Sequence, residues 1–312
     1  MTNEKRNSKN VLSSLLKILA VLVLLVFIIC VVKTCMDCRE YHTITLIDQT
    51  GYLPDKEDWD VIPDVEPPYD DDELDSLPEA VSLEHLFPPI GNQGPYGTCV
   101  AWSSGYNLKT ALNAIDNHWT AKELADPANQ TSPKDLWLGI PSNEKGAFCG
   151  GTAFSSALTV LKNQGAASMK EVPYANLGTC SGNNIKGDMS NRIGSFQHVV
   201  SGGSLPSIKQ IKSYIRDTVP LLFAADVGDV FTNWHSDKAF DLHENGETEG
   251  HAMVLVGYDD SRHAFRIRNS WGVTWGDNGS AWVDYDHFMN DFCCEVFVMS
   301  NEPRPMPVAS HK

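Results

Sequence analysis

Two short segments that are far apart in the chain constrain its fold most strongly, because their side chains are chemically complementary. The first is Gln93–Cys99, which reads QGPYGTC, and the second begins at His251 and ends with the NSWG motif Asn269–Gly272. A thiol at its ordinary pKa is mostly protonated at neutral pH, so a nucleophilic cysteine needs a cationic partner or a helix N-terminus. A fold that joins Cys99 to His251 would provide that partner.

The residues around Cys99 predict that it lies in the first turn of a buried helix. Glycine and proline interrupt regular structure just before it, within Gly94–Gly97, and apolar residues then recur at helical spacing. These are Leu108, Ala111, Leu112 and Ile115. A helix N-terminus stabilises negative charge, so this position favours the thiolate of Cys99.

Two amides have the chemistry to complete such a site. Asn269 offers an oxygen that can hold an imidazole in one tautomer and orientation without adding charge. Gln93 offers N–H donors, and together with the backbone N–H of Cys99 it would stabilise an oxyanion. The predicted catalytic set is therefore Cys99, His251, Asn269 and Gln93.

These blocks occur in the order found in papain-like cysteine peptidases, the family of papain and the cathepsins, which the chain resembles. The QGPYGTC block, the His-Ala pair at 251 and 252, the NSWG motif and the WGDNG run behind it all match that family. The separation of Cys99 from His251 is close to the roughly 130–150 residues typical of such enzymes. Weaker similarity extends the resemblance over residues 77–300.

The resemblance implies roles for four further residues. Trp271 would cover the hydrogen bond between Asn269 and His251 from solvent and would belong to the substrate-binding residues, with an ordinary core aromatic as the alternative. Three more residues would line the substrate cleft, namely Gly150, Gly151 and Ala252. The glycine pair follows Cys149 directly, one residue closer than in the usual Cys-Asn-Gly-Gly pattern, so its assignment to the cleft is less direct than the catalytic one.

Three features depart from the plant and animal enzymes. Tyr96 replaces a disulfide cysteine of papain, so that framework disulfide cannot form, and Val100 follows the nucleophile where papain-type enzymes usually carry tryptophan. About ten extra residues, around Asn117–Thr131, separate the predicted helix from the next matched block. We interpret them as a surface insertion.

The implied fold class is α+β, with a helical left lobe headed by the Cys99 helix. The right lobe would consist of antiparallel strands, resemble a β-barrel, and hold His251 and Asn269. A cleft between the lobes would bind an extended peptide, and a chain of this length accommodates one such unit plus an appendage. The candidate strands are Leu221–Asp226, His251–Asp259, Ala264–Asn269, Ser280–Tyr285 and Glu295–Met299.

The appendage lies at the N-terminus and predicts a membrane anchor. Residues 11–32 are apolar except for two serines and Lys17, which is long enough to span a bilayer if Lys17 reaches the interface. A cleavable signal peptide is the main alternative, but no small-residue cleavage site follows the apolar run. Basic residues are more numerous before the span than behind it, so we expect residues 1–10 in the cytoplasm and the catalytic domain outside.

Residues 33–76 form a predicted linker between the anchor and the peptidase domain. Within it, Asp55–Asp75 contains eleven acidic residues and Lys56, a net charge of −10 in a chain of net charge −16. Three prolines accompany these charges, so an extended, mobile tether is expected. An inhibitory pro-segment is the alternative, which the short length and the missing helical pro-domain pattern disfavour. Residues 301–312 are a C-terminal tail.

The remaining patterns bear on cofactors and partners. The resemblance places Cys149 and Cys180 in loops that carry disulfide cysteines, where they could pair with one another, whereas Cys293 and Cys294 could be buried thiols or pair elsewhere. No Cys/His spacing typical of zinc, no glycine-rich phosphate loop and no basic stripe for nucleic acid is found in the sequence. We therefore expect no cofactor or metal, and no nucleic-acid partner.

The sequence thus predicts a cysteine peptidase that acts on peptides or proteins through Cys99, His251 and Asn269 at the outer side of a membrane. Two alternatives stay open. One is a catalytically weak homologue that binds peptides in the same cleft, which the complete set of four catalytic residues disfavours. The other is an acyltransferase or amidase that uses the same Cys-His chemistry, which the peptidase-like NSWG motif disfavours.

Overall fold

The structure, a computed structural model, describes residues 50–54, 63–65, 67, 76–146, 150–175, 177, 185–201 and 203–303. All of them belong to the unit Ile47–Lys312. The predicted cytoplasmic tail, the predicted span at 11–32 and most of the C-terminal tail lie outside the described residues. Within the described ranges, no helix is both long enough and apolar enough to cross a membrane.

The helix predicted at Cys99 is present and is the longest of the left lobe. Helix α1 starts as an α-helix at Cys99–Ala101, continues as a π-helix at Trp102–Lys109 and ends as an α-helix at Thr110–Asn117. Every residue from 99 to 111 is buried, so this helix forms the centre of the lobe. His118 ends it in a left-handed conformation, with φ of 54°.

Side chains cap the N-termini of several other helices. Thr120 and Glu123 form a capping box, Ser132 caps a helix that has proline at its first position, and Ser207 forms a second capping box with Gln210. The helices are α2 (Ala121–Leu124), α3 (Pro133–Gly139), α4 (Phe154–Asn163), α5 (Ile208–Arg216), α6 (Asp229–Thr232) and α7 (Tyr285–His287, continued as a π-helix at Phe288–Phe292). Short 3₁₀ helices lie at Glu84–Leu86, Ser142–Glu144 and Met189–Asn191.

Helix α2 lies within the predicted surface insertion Asn117–Thr131, and most of the other residues of that insertion are exposed, as predicted.

The right lobe is a sheet of nine described strands. Eight follow one another in the order β1-β3-β9-β4-β6-β7-β8-β5, and β2 pairs with β6. The long strand β6 carries eight consecutive buried residues and lies between β4 and β7. The strands are β1 (Asp64–Val65), β2 (Ala80–Ser82), β3 (Ser195–Val199), β4 (Leu221–Val227), β5 (Ala239–Phe240), β6 (Glu249–Asp259), β7 (Ala264–Arg268), β8 (Ser280–Asp284) and β9 (Cys293–Ser300).

All five predicted strands are confirmed, but the prediction of an antiparallel, barrel-like lobe needs correction. The central pairs are antiparallel, whereas β1 pairs with β3 and β5 pairs with β8 in parallel. The sheet is therefore mixed, and its hydrogen-bonded path has two ends. The strands that make it mixed contain only two residues each, which is too short for an alternating pattern to mark them in the sequence.

One buried arginine ties the sheet to helix α1. Arg268, at the end of β7, donates from Nε to Oδ1 of Asn107 at 3.1 Å and from Nη2 to the carbonyl oxygen of Pro88. Burial lowers the pKa of Arg268 to about 10, although the negative charge of Glu84 raises it. Because Arg268 immediately precedes Asn269, this contact fixes the end of β7 relative to the helix that carries Cys99.

Part of the predicted linker packs on the peptidase unit. Asp64 and Val65 pair with His198 and Val199 of β3, and Nδ1 of His198 lies 3.1 Å from Oδ1 of Asp64. A second part, Thr50–Leu53, contacts both lobes. These contacts differ from the expected mobile tether, while residues 55–62 lie outside the described part of the chain.

Candidate active site

Cys99 is the first residue of helix α1 and is completely buried. Thr98 is its N-cap residue, and the hydroxyl of Thr98 lies 2.6 Å from that of Tyr174. Tyr174 in turn donates to the carbonyl oxygen of Gln93 at 2.9 Å, so Thr98 is the donor of the first bond, since a phenol has one hydrogen. This short chain of hydrogen bonds holds the turn before Cys99.

His251 and Asn269 form the predicted imidazole–amide pair. Nε2 of His251 lies 2.8 Å from Oδ1 of Asn269. The same oxygen accepts the backbone N–H of Ser270 at 2.7 Å, which fixes the orientation of the amide. An oxygen can only accept, so His251 carries its hydrogen on Nε2, and Nδ1 has a lone pair. Nδ1 is buried and has no hydrogen-bond partner among the described residues.

Trp271 lies against this pair. Its ring stacks on the His251 ring with 4.3 Å between centroids and an interplanar angle of 27°. Trp271 is itself buried and packs edge-on against Phe231 and Trp275. The imidazole is therefore held by a hydrogen bond in its plane and by an aromatic face above it.

Gln93 joins the two halves of the site. Its backbone N–H donates to the carbonyl oxygen of Ser270 at 2.8 Å, and the hydroxyl of Ser270 donates to Oε1 of Gln93 at 2.7 Å. Its Nε2 donates to the carbonyl oxygen of Tyr96 at 2.8 Å. The motif containing Ser270 drew attention in the sequence, but its role of orienting the Gln93 amide needed the structure.

Cys99 and the start of β6 are in contact. The backbone N–H of Ala252 bonds to the thiol and lowers its pKa, as do the N–H groups of Val100 and Cys99 itself. Ala252 follows His251 directly and is also buried. The structure thus brings together the residues that the sequence predicted for catalysis, Cys99, His251, Asn269 and Gln93, and it places Ala252 against the thiol.

Burial opposes charge on both reacting groups. It raises the pKa of the Cys99 thiol to about 12, against the opposing effect of the N–H groups named above. It also lowers the pKa of His251 to about 4, although the hydrogen bond to Asn269 raises it. Burial in this arrangement therefore opposes the thiolate of Cys99 and the imidazolium of His251.

A segment that the sequence did not single out lies next to these residues. Thr50–Leu53, here called the cleft segment, lies between the Gly150–Thr152 wall and the start of β6. The N–H groups of Gly51 and Tyr52 both donate to the carbonyl oxygen of Gly250, at 3.0 and 2.9 Å. Gly250 immediately precedes His251, so the cleft segment is bonded directly beside the imidazole.

The opposite wall pairs with the cleft segment as one strand pairs with another. Leu53 donates to the carbonyl oxygen of Thr152 at 3.0 Å, and Thr152 donates to that of Gly51 at 2.8 Å, so Tyr52 and Thr152 form a parallel bridge. The backbone of Gly150 lies against Gly97, and that of Gly151 lies against Gly51 of the cleft segment.

Close backbone packing makes several of these glycines necessary. A Cβ atom on Gly51, whose φ is 147°, would lie 2.5 Å from the backbone of Gly97. A Cβ atom on Gly97 would lie 2.4 Å from the carbonyl oxygen of Gly150, and one on Gly151 would lie 2.3 Å from that of Gly51. Such separations are too short for any side chain. The cleft segment therefore fits only because Gly51, Gly97 and Gly151 have no side chain.

Two carboxylates bind the side chains of the cleft segment. The hydroxyl of Thr50 donates to Oε2 of Glu249 at the start of β6, and the hydroxyl of Tyr52 donates to Oε1 of Glu295 in β9. Glu249 is exposed, whereas Glu295 is buried. Sequence reasoning missed both acids, since an acidic residue near the end of a strand carries no signal of its own.

Two groups of ligand-type side chains lie elsewhere in the described chain. In the first, Nδ1 of His243 and Nδ1 of His287 lie 3.9 and 3.7 Å from Oδ2 of Asp291. The second consists of His263, Asp284 and Asp286. Neither contains a residue of the candidate site. In each group one histidine comes from a separate part of the chain, so a search for zinc-type spacing could not find either group. Cys149 and Cys180 lie outside the described residues, and Cys99, Cys293 and Cys294 are free thiols.

A buried thiol at a helix start, facing a strand that carries an imidazole held by an amide, defines the papain-like class of two-lobed folds. The chain belongs to the papain family of cysteine proteases, and the model of that family matches residues 79–296. Xylellain, a cysteine protease from Xylella fastidiosa, has a similar structure, with a TM-score of 0.65 and 23% identity over 80% of this chain and 95% of that one. The procathepsin L2 proteinase of Tenebrio molitor gives a TM-score of 0.64 at 19% identity, over 83% of this chain and 80% of that one.

Curated cysteine proteinases and cathepsins are related to this chain at modest sequence identity. Cysteine proteinase 1 of Dictyostelium discoideum is 26% identical over 226 residues, which cover 67% of this chain and 62% of the relative. Cathepsin L 2 of Paramecium tetraurelia is 29% identical over 196 residues, which cover 62% of this chain and 54% of the relative. The matched region thus spans little more than half of each relative's length.

Proposed function

We propose that this chain is a cysteine peptidase that hydrolyses peptide bonds with Cys99 as nucleophile. The observation that carries the proposal is the fixed tautomer of His251. Its Nε2–H is committed to Asn269, whose oxygen is locked by the N–H of Ser270, and this leaves the lone pair of Nδ1 as the base. A cysteine and a correctly oriented imidazole on facing elements are what nucleophilic catalysis requires.

The mechanism follows from these positions. Nδ1 of His251 takes the thiol proton, and the sulfur of Cys99 attacks the scissile carbonyl. The N–H of Cys99 and the amide of Gln93 stabilise the oxyanion, and His251 then returns the proton to the leaving amine. Water activated by the same imidazole releases the acyl group. Asn269 keeps the imidazole oriented throughout.

The described chain represents a closed form of this peptidase. A peptide cannot reach Cys99 while the cleft segment is bonded to Gly250 and Thr152. Displacement of the segment admits water and reduces the desolvation of Cys99 and His251, so the pKa of each group returns toward its ordinary value and proton transfer from the thiol to the imidazole becomes easier. Activity therefore requires the cleft segment to leave.

The test uses the full chain with Gly51→Val, because a side chain at this position would clash with Gly97 and expel the cleft segment. We expect this variant to cleave a mixed peptide library and to lose all activity with Cys99→Ala or after thiol alkylation. Gly246→Val is the matched control, since nothing lies within 4 Å of a Cβ atom there. Peptidase activity that survives Cys99→Ala would refute the nucleophile. A Gly51→Val protein that binds peptides but cleaves none would favour the peptide-binding alternative.

We propose further that the peptidase is anchored in a membrane and faces outward, on the evidence of the apolar stretch 11–32 and the basic residues before it. Full-length protein should then sediment with membranes and resist extraction by alkaline carbonate. Protease added to intact cells should release a soluble fragment by cutting within 55–75. Secretion of a shortened chain without added protease would show a cleaved signal peptide, and protection of the domain in intact cells would reverse the topology.

A further inference from the structure

A cavity in the right lobe is lined by two histidines and an aspartate that take no part in the proposed catalysis. His243 comes from the loop 241–248, between β5 and β6, whereas His287 and Asp291 both belong to helix α7. The ligand atoms of the three side chains all lie within 4.8 Å of one another. The cavity has a volume of about 170 Å³, which leaves room for an ion and a bound water.

The spacing of these three side chains fits a shared ion better than it fits hydrogen bonds. Nδ1 of His287 and Nδ1 of His243 lie 3.7 and 3.9 Å from Oδ2 of Asp291, which is too long for a hydrogen bond. Zinc bonds of about 2.0–2.2 Å in a tetrahedron place two ligand atoms roughly 3.4 Å apart. The side chain of His243 is 74% exposed, so a small movement of this side chain can close the site.

His287 is the member of the group that most needs a polar partner. It is 8% exposed, and its Nε2 is buried without a hydrogen-bond partner among the described residues. The rings of Phe240 and Phe292 pack against the imidazole, with centroids 5.3 and 5.8 Å away. Buried polar side chains in native proteins generally have a polar partner. A metal bond at Nδ1 would give this imidazole a polar interaction that its aromatic neighbours cannot.

The donor atoms indicate which class of ion would bind. Two imidazoles and one carboxylate suit zinc and its neighbouring transition metals, whereas calcium and magnesium prefer six or more oxygen ligands. Asp226 and Glu244 also line the cavity. Both oxygens of Glu244 are engaged, however, because they accept the N–H groups of Val230 and Phe231 at 2.8 and 2.9 Å. The cavity therefore offers nitrogen ligands rather than a cage of oxygens.

We propose that His243, His287 and Asp291 bind a divalent transition-metal ion of the zinc type, with water as the fourth ligand. The ion joins the loop 241–248 to helix α7 and thereby stabilises the right lobe. This site is separate from the predicted catalytic set, so the proposal does not depend on the peptidase function. The sequence predicted no metal because His243 lies far along the chain from the other two ligands.

The first test measures the Kd of Zn²⁺ by calorimetric titration of the full-length protein. The parent for this test carries Cys99→Ala, because the thiol of Cys99 could itself bind zinc. We expect His243→Ala and Asp291→Asn, each added to this parent, to raise the Kd at least about tenfold, since even the loss of an outer-shell partner costs that much. Both side chains are substantially exposed, so neither substitution should prevent folding.

His263→Ala is the matched control. His263 is also an exposed histidine beside carboxylates, but it belongs to the other group of ligand-type side chains, with Asp284 and Asp286. The Kd of Zn²⁺ should be unchanged in this variant. Zn²⁺ should also raise the Tm of the parent and of His263→Ala, because an ion that binds only the folded state stabilises it. The rise should be smaller in His243→Ala and in Asp291→Asn.

A second measurement identifies the ligand type with Co²⁺ in place of zinc. Nitrogen and oxygen ligands give visible d–d bands, whereas cysteine ligands add a sulfur-to-cobalt charge-transfer band in the near ultraviolet. We expect the parent to show d–d bands that disappear in His243→Ala. Absence of Zn²⁺ binding, a Kd that is equal in the parent, His243→Ala and Asp291→Asn, or a Co²⁺ spectrum that is unchanged by His243→Ala would overturn the proposal. So would a loss of affinity confined to His263→Ala.

Discussion

The proposed catalytic residues and the cleft segment are neighbours in the fold, yet they differ in how the sequence marks them. Cys99, His251 and Asn269 need particular functional groups, so their residue types and order identify them. The cleft segment Thr50–Leu53 binds chiefly through its backbone, and its fit depends on glycines, its own Gly51 among them. A site for chemistry is therefore visible in a sequence, whereas the segment that closes it is visible only in the fold.

This comparison predicts that changes in the catalytic residues act on chemistry, while changes in the cleft segment act on access. The largest effect concerns His251. In the Gly51→Val chain, His251→Ala should abolish turnover, because it removes the base, whereas Asn269→Ala should leave measurable activity, because the base remains and only loses its orientation. Steady-state kinetics with one peptide substrate measure both. A His251→Ala enzyme as active as Asn269→Ala would remove His251 from the role of base.

Gln93 should have the next largest effect. Gln93→Ala removes one oxyanion donor, which costs on the order of 10²–10³ in kcat. Ser270→Ala is a useful companion, since Ser270 bonds to Oε1 of Gln93 at 2.7 Å but is itself no donor to the oxyanion. It should reduce kcat less than Gln93→Ala does. If kcat of Gln93→Ala equals that of the parent chain, Gln93 has no part in the mechanism.

A smaller effect concerns pH and acts on access. The closed form holds His251 with a pKa of about 4, below its ordinary value of 6.5, so an opened site binds a proton that the closed site excludes. This difference in pKa stabilises the closed form relative to the open form. The stabilisation is fully present above pH 6.5 and is lost as the pH falls toward 4. In the closed form the pKa of the Cys99 thiol is raised from its ordinary value of 9.0 to about 12. An opened site therefore loses the thiol proton at a lower pH, so the closed form also becomes less stable above about pH 9.

Hydrogen exchange can follow this opening at two amides. The N–H groups of Gly51 and Tyr52 donate to Gly250, and their protection factors in the full chain should fall several-fold between pH 6.5 and 4. Glu249→Gln serves as the control, because it keeps an acceptor for Thr50 but cannot titrate. The same pH dependence in this variant would exclude Glu249 as its cause. Protection that is constant with pH would show that His251 does not couple to the cleft segment.

Much of the fold was predictable, and particular residues show why the rest was not. The five long strands have apolar runs, and the helix at Cys99 follows a glycine-rich break, so their signals are local. The edge strands Asp64–Val65 and Ala239–Phe240 are too short to show a period. Glu295 lies within a predicted strand, but the hydroxyl that it binds belongs to Tyr52, which is 243 residues earlier in the chain, so its role depends on a contact that no local pattern encodes.

The central claim is that a complete catalytic set lies beneath a removable segment of the same chain. The most direct measurement is the rate of Cys99 alkylation at neutral pH in the full-length protein, in Gly51→Val and in the control Gly246→Val. The account predicts slow alkylation in the parent and in Gly246→Val, and a rate at least about tenfold higher in Gly51→Val, because opening both exposes the thiol and lowers its pKa. Equal rates in all three proteins would contradict it.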